Sequence, residues 1–119
     1  MTATEPITTS VGYRDGIAVL AVGGEIDLMT APILQSAIDD VLADSPVGLI
    51  IDFSALEFLA SVGLRILVDT HQRLLDKAYF AVVADGSATS RPIQLTNLDE
   101  VFALYPTVDD AMAARIRLA

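Results

Sequence analysis

The sequence predicts an α/β fold on a partly parallel, mixed β-sheet, and three observations carry that prediction. Apolar runs of strand length alternate with stretches of helical periodicity, in the order β-β-α-β-α-β-α-(β)-α. Strands separated by single helices need crossover connections, which pair strands in parallel. An Asp15-Gly16 pair between two β-rich segments marks an antiparallel hairpin at the start of the chain. The expected result is a four- to five-stranded sheet with an edge hairpin and about four helices, mostly covering one face.

Met1 to Glu5 reads as a flexible end, and residues 6–119 as a single domain. "ITTSVGYRDGIAVLAVGG" holds the hairpin. Its second strand, Ile17 to Val22, is nearly all apolar and so is expected to be covered on both faces. Gly23-Gly24 ends or bulges it. Thr30 is a candidate N-cap, with Pro32 in the first helical turn where its missing N–H costs nothing. Leu34, Ala37, Ile38, Val41 and Leu42 form one helical stripe, which Ser45-Pro46 stops.

"VGLIIDF" is a continuous apolar run expected to end as a strand at Asp52. A strand-to-helix turn follows, then a helix with Leu64, Leu67, Val68, His71, Leu74 and Leu75 on one stripe. Ala78 to Ala84 is a further buried strand. "DGSATSRPIQLTNL" leads into a short helix that Asn97 ends, and "DEVFALYP" gives a turn and a short extended piece. Thr107 caps a last helix with Asp109 and Asp110 in its first turn and Arg115 and Arg117 in its last, the charge order that suits a helix dipole.

Composition narrows the function. The chain has 119 residues, is 53% hydrophobic and 19% charged, and so can bury one core. It has no cysteine, which excludes disulfides and thiolate metal sites. Seven basic against sixteen acidic residues give a net charge of −9. That charge argues against nucleic acid and anionic lipid and suits a partner with a basic face, or simple solubility. No apolar run is long enough to cross a membrane and the start "MTATEPITTS" lacks a leader pattern, so a cytoplasmic protein is expected.

No catalytic constellation is present. The single histidine, His71, lies on an apolar helical stripe and reads as a core or interface residue. Neither GxxxxGK[ST] nor GxGxxG occurs, and no His, Cys or carboxylate cluster has metal-ligand spacing. No cofactor is expected. Glu25, Asp27 and Asp52 each end a strand-like segment, at the sheet edge where α/β proteins bind ligands, but no nucleophile–base pair accompanies them.

The turn after the third strand holds Ala60, Ser61, Val62 and Gly63. Ser61 reads as an N-cap bonding the N–H of Gly63 or Leu64. It also reads as an attachment point: a phosphate at a helix mouth meets free N–H groups and the positive helix end, with Gly63 leaving the backbone uncovered.

Three blocks, "GEIDLMTAPILQSAI", "LIIDFSALEFLASVGLRIL" and "LTNLDEVFALYPTVDDAM", together resemble the STAS domain family, and within it the bacterial anti-sigma factor antagonists. The resemblance implies the STAS fold and a regulator, not an enzyme. Such a protein binds an anti-sigma factor bearing a GHKL-type serine kinase domain, frees the sigma factor, and lets go when phosphorylated; a serine phosphatase resets it. By position, Ser61 is the phosphoacceptor, surrounded by Asp27, Asp52, Ala60, Val62 and Gly63. Ser61, Val62, Leu64 and Arg65 form the partner surface. A monomer or weak homodimer is expected. The chain departs from the family at Ala60, where Asp is common, and at Val62, where some relatives carry a hydroxyl. Ser61 is thus the only hydroxyl in the turn, with Ser54 as fallback. Ala60 favours the alternative, a constitutive partner-binding or nucleotide-sensing STAS module whose Ser61 is never modified.

Overall fold

A computed structural model describes residues 6–118. The expected loose end at residues 1–5 lies outside them. Strands β1 (Ile7–Arg14) and β2 (Ile17–Ile26) form the expected hairpin. Asp15 and Gly16 both take positive φ, 54° and 82°, the backbone that a two-residue hairpin loop needs to match strand twist. β2 runs on past Val22, and Gly23-Gly24 is a bulge: the register against the next strand slips on either side of it. Gly24 has φ 92°, and a Cβ there would run into the Pro6 carbonyl.

Helix α1 (Ala31–Leu42) follows, with Thr30 at its cap position and Leu34, Ile38 and Val41 buried. Strand β3 (Gly48–Leu59), helix α2 (Ser61–Leu74), strand β4 (Tyr79–Val83) and the short helix α3 (Ser90–Leu95) come next. Asn97, left-handed at φ 59°, leads into a single 3-10 turn at Leu98–Glu100. Strand β5 (Ala103–Tyr105) and helix α4 (Val108–Leu118) complete the order. The Asp110 N–H donates to the Thr107 hydroxyl at 3.0 Å, so Thr107 is the cap its position predicts.

The sheet order is β1-β2-β3-β4-β5, antiparallel between β1 and β2 and parallel elsewhere. Leu20, Leu34, Ile38, Ile51, Phe53, Leu67 and Ile93 meet in one core on the face covered by α1, α2 and α3. Ile17, Ile50, Ala81 and Val83 face the other way, under Ala111 and Met112 of α4. Three helices therefore share one face, as expected, and α4 covers the other. This two-sided cover explains the unbroken apolar runs of the central strands.

Besides the longer β2, two boundaries differ from the sequence reading. β3 does not stop at Asp52 but continues to Leu59. Beyond Val83, opposite Asp52, β4 has ended and β3 pairs with β2 alone. Only Phe53, Leu56 and Leu59 are buried there, so the apolar pattern breaks although the pairing does not. At the other end of α2, Leu75 is past the helix and exposed, whereas Ile66 and Thr70 are buried in the stripe. The Thr70 hydroxyl is satisfied by the Ile66 carbonyl at 2.7 Å.

Candidate docking site at the first turn of α2

The turn between β3 and α2 is fixed from below. The Ala60 N–H donates to the Ile26 carbonyl at 2.9 Å, pinning the chain to the end of β2. Ala60 is extended at φ −81° and ψ 167°, and α2 begins at Ser61. Ala60 is therefore the cap residue, and its carbonyl accepts the N–H groups of Gly63 and Leu64 at 2.9 and 3.4 Å. Ser61 is not the N-cap. Its hydroxyl makes no capping bond, and the side chain is exposed. The alcohol expected to hold the helix is free for other work.

Gly63 is buried and has no positive φ, so it neither uncovers backbone nor eases a turn. It lets α2 approach the sheet. A Cβ on it would lie 2.5 Å from Leu59 Cδ1 and 2.8 Å from Ile26 Cγ2, both in buried side chains. The small residue sets the depth of the helix mouth against the ends of β2 and β3.

Asp27 lies one residue past β2 and works on its own loop. Its Oδ1 accepts the N–H groups of Met29 and Thr30 at 2.9 and 3.1 Å. The Thr30 hydroxyl donates to the Glu25 carbonyl at 2.8 Å and accepts the Asp27 N–H at 2.9 Å. Thr30 thus ties the strand end to α1 rather than bonding forward into the helix. This closed loop lifts Leu28 and Met29 into solvent, 79% and 85% exposed. Together with Asp27, Ala60, Ser61 and Val62 they line an open depression of about 430 Å³.

A STAS domain model matches residues 10–111. The chain belongs to the STAS domain family. Over 112 residues it is 51% identical to the anti-sigma-F factor antagonist RsfB of Mycobacterium tuberculosis, covering 94% of this chain and 92% of that one. Among solved structures, an anti-sigma factor antagonist from Mycobacterium paratuberculosis shares 55% identity and superposes with a TM-score of 0.89, over 96% and 97% of the two chains. The phosphorylated form of the Bacillus cell fate determinant SpoIIAA superposes at 0.66 with 14% identity, over 90% and 98%, a likeness of fold.

The other expected site residues of this STAS domain divide. Val62 is half-buried beside Ser61, and Arg65 is exposed one turn on. Leu64 packs into the core and presents no docking surface. Asp52 is not brought to Ser61. It lies seven residues before the end of β3, roughly 20 Å back along the strand, and on the opposite face from Phe53. There it accepts the N–H and hydroxyl of Ser54, at 2.9 and 2.5 Å. Ser54, placed within β3 and so engaged, lies five residues short of the strand's end. Glu25 is exposed at the penultimate position of β2, opposite Phe58. His71 is half-buried with its ring centre 6.3 Å from that of Phe80. No metal-ligating cluster occurs among the described residues.

Leu28 and Met29 are the candidate-site residues that sequence reasoning missed. Their signal was two large apolar side chains in a short loop, between a strand-ending Asp27 and a helix-starting Thr30. Such a pair has no core to enter unless the loop folds inward, and Asp27 prevents that.

Proposed function

We propose that this STAS domain is an anti-sigma factor antagonist whose docking is switched at Ser61. The observation that carries the reading is the exposed, uncommitted Ser61 hydroxyl at the start of α2, beside the apolar pair Leu28 and Met29. The 51% identity to RsfB over nearly the whole chain supplies the partner class. The unmodified face docks on the anti-sigma factor through Leu28, Met29, Val62 and Arg65, and the sigma factor is released.

The kinase domain of that partner, of the GHKL type, then transfers the γ-phosphoryl group of ATP to Ser61 Oγ. The hydroxyl loses its proton and ADP leaves. The chain is the substrate of this step and a regulator, not its catalyst. The new group carries about −1.5 to −2 charges. Its oxygens lie near the N–H groups of Ser61 and Val62, which have no i−4 acceptor within the helix, and near the positive end of α2. The fold therefore tolerates it. Docking does not, because a hydrated dianion now sits in the depression that Asp27, Leu28, Met29 and Val62 line with it. A serine phosphatase restores the hydroxyl.

Ala60 supports a second reading, a constitutive STAS module. An Asp at that position would add charge beside the hydroxyl, and Ala60 adds none. The two readings separate in a binding assay against candidate anti-sigma factors. The switch predicts that Ser61→Ala binds like the wild type and Ser61→Glu does not. Equal binding by Ser61→Glu supports the constitutive module.

A further inference from the structure

We propose that the free edge of β1 pairs antiparallel with the β1 edge of a second copy, with Ser10 opposite Ser10 of that copy. β1 is eight residues long, all but Ile7 exposed, with one charge at its far end and no proline inside it. Among the described residues it lacks the devices that usually protect a sheet edge. The other edge, β5, has only three residues.

The register follows from which backbone groups are already used. Arg14 and Ile17 close a two-residue hairpin and exchange hydrogen bonds, so the even positions of β1 bond to β2. The Glu25 N–H on the Pro6 carbonyl, at 2.8 Å, continues the same parity. The N–H and carbonyl groups of Ile7, Thr9, Val11 and Tyr13 therefore point outward. In a two-fold pair the outward residues must face one another. Only with Ser10 on the axis do all four find partners, Ile7 with Tyr13 and Thr9 with Val11 of the copy. The side chains agree: Val11 and Tyr13, 46% and 53% exposed on the α1 side, then meet Thr9 and Ile7 as cross-strand pairs. The Ser61 turn hangs on the ends of β2 and β3, so this pairing leaves it open.

The chain has no cysteine, which makes the test direct. Ser10 falls at a non-hydrogen-bonded pair, where Cα atoms are about 4.5 Å apart, inside disulfide range. In the full chain, Ser10→Cys is expected to form a disulfide-linked dimer under mild oxidation. Thr8→Cys and Gly12→Cys lie opposite each other, so each alone stays monomeric and only their mixture cross-links. Adding Val11→Pro removes an outward N–H that the monomer does not use, so the fold persists by circular dichroism while cross-linking stops. The proposal is overturned if Ser10→Cys remains monomeric, if Thr8→Cys or Gly12→Cys alone links as fast, or if folded Val11→Pro leaves the linkage unchanged.

Discussion

Replacing Gly63 with alanine puts a methyl group where Leu59 and Ile26 already stand. Both are buried against the rest of the core, so neither can swing away freely. Gly63→Ala is expected to cost about 1–3 kcal/mol, the usual range for overpacking, read as a lower urea midpoint; an unchanged midpoint refutes the close-packing role. Ser61 predicts the reverse. A lost N-cap costs about 1 kcal/mol, but Ala60 holds that position here, so Ser61→Ala should change stability by less than about 0.5 kcal/mol. A loss of cap size would return Ser61 to a structural role. Asp27→Ala removes the acceptor of the Met29 and Thr30 N–H groups. It should weaken docking by releasing Leu28 and Met29; binding at wild-type strength would contradict this.

At the scale of elements, Leu67 on α2 is fully buried between helix and sheet, and Leu67→Ala should cost about 2–5 kcal/mol. A near-silent variant would mean that a different face of α2 is packed. Legibility followed burial. α1 was readable from its apolar stripe with Thr30 and Pro32 at its start, α2 from its stripe alone, and α4 from the Thr107 cap and the acidic residues of its first turn. The hairpin was readable because Asp15-Gly16 permits few other backbones. The far half of β3 was not, since only one face of the β2–β3 ribbon is covered there and Glu57 and Phe58 point outward. That single misplaced end carried Asp52 and Ser54 away from the site they were expected to join. Ser61 itself was found, but its place in the helix shifted by one residue, a difference that hydrogen bonds decide and sequence does not.

Across the whole molecule, the proposed switch occupies one small end of the sheet, and the rest of the chain keeps that end in place. Arg73 on α2 meets Asp39 on α1 at 2.6 Å, and this bond, aided by Gln35, holds the Asp39 carboxyl below its ordinary value. A lowered carboxylate pKa adds stability above that ordinary value and loses it as acid titrates the group. Both side chains are about half exposed, so the contribution is at most about 1 kcal/mol, and the gap between wild type and Arg73→Gln should close on acidification. The net charge of −9 acts at longer range: association with a partner's basic face should slow as salt rises. The central claim concerns a single oxygen atom. The most direct measurement compares the chain phosphorylated on Ser61 with the unmodified chain, by calorimetric titration against one anti-sigma factor that binds the latter. Loss of binding on phosphorylation, with the fold intact by circular dichroism, is the predicted result; equal affinity of the two forms would contradict it.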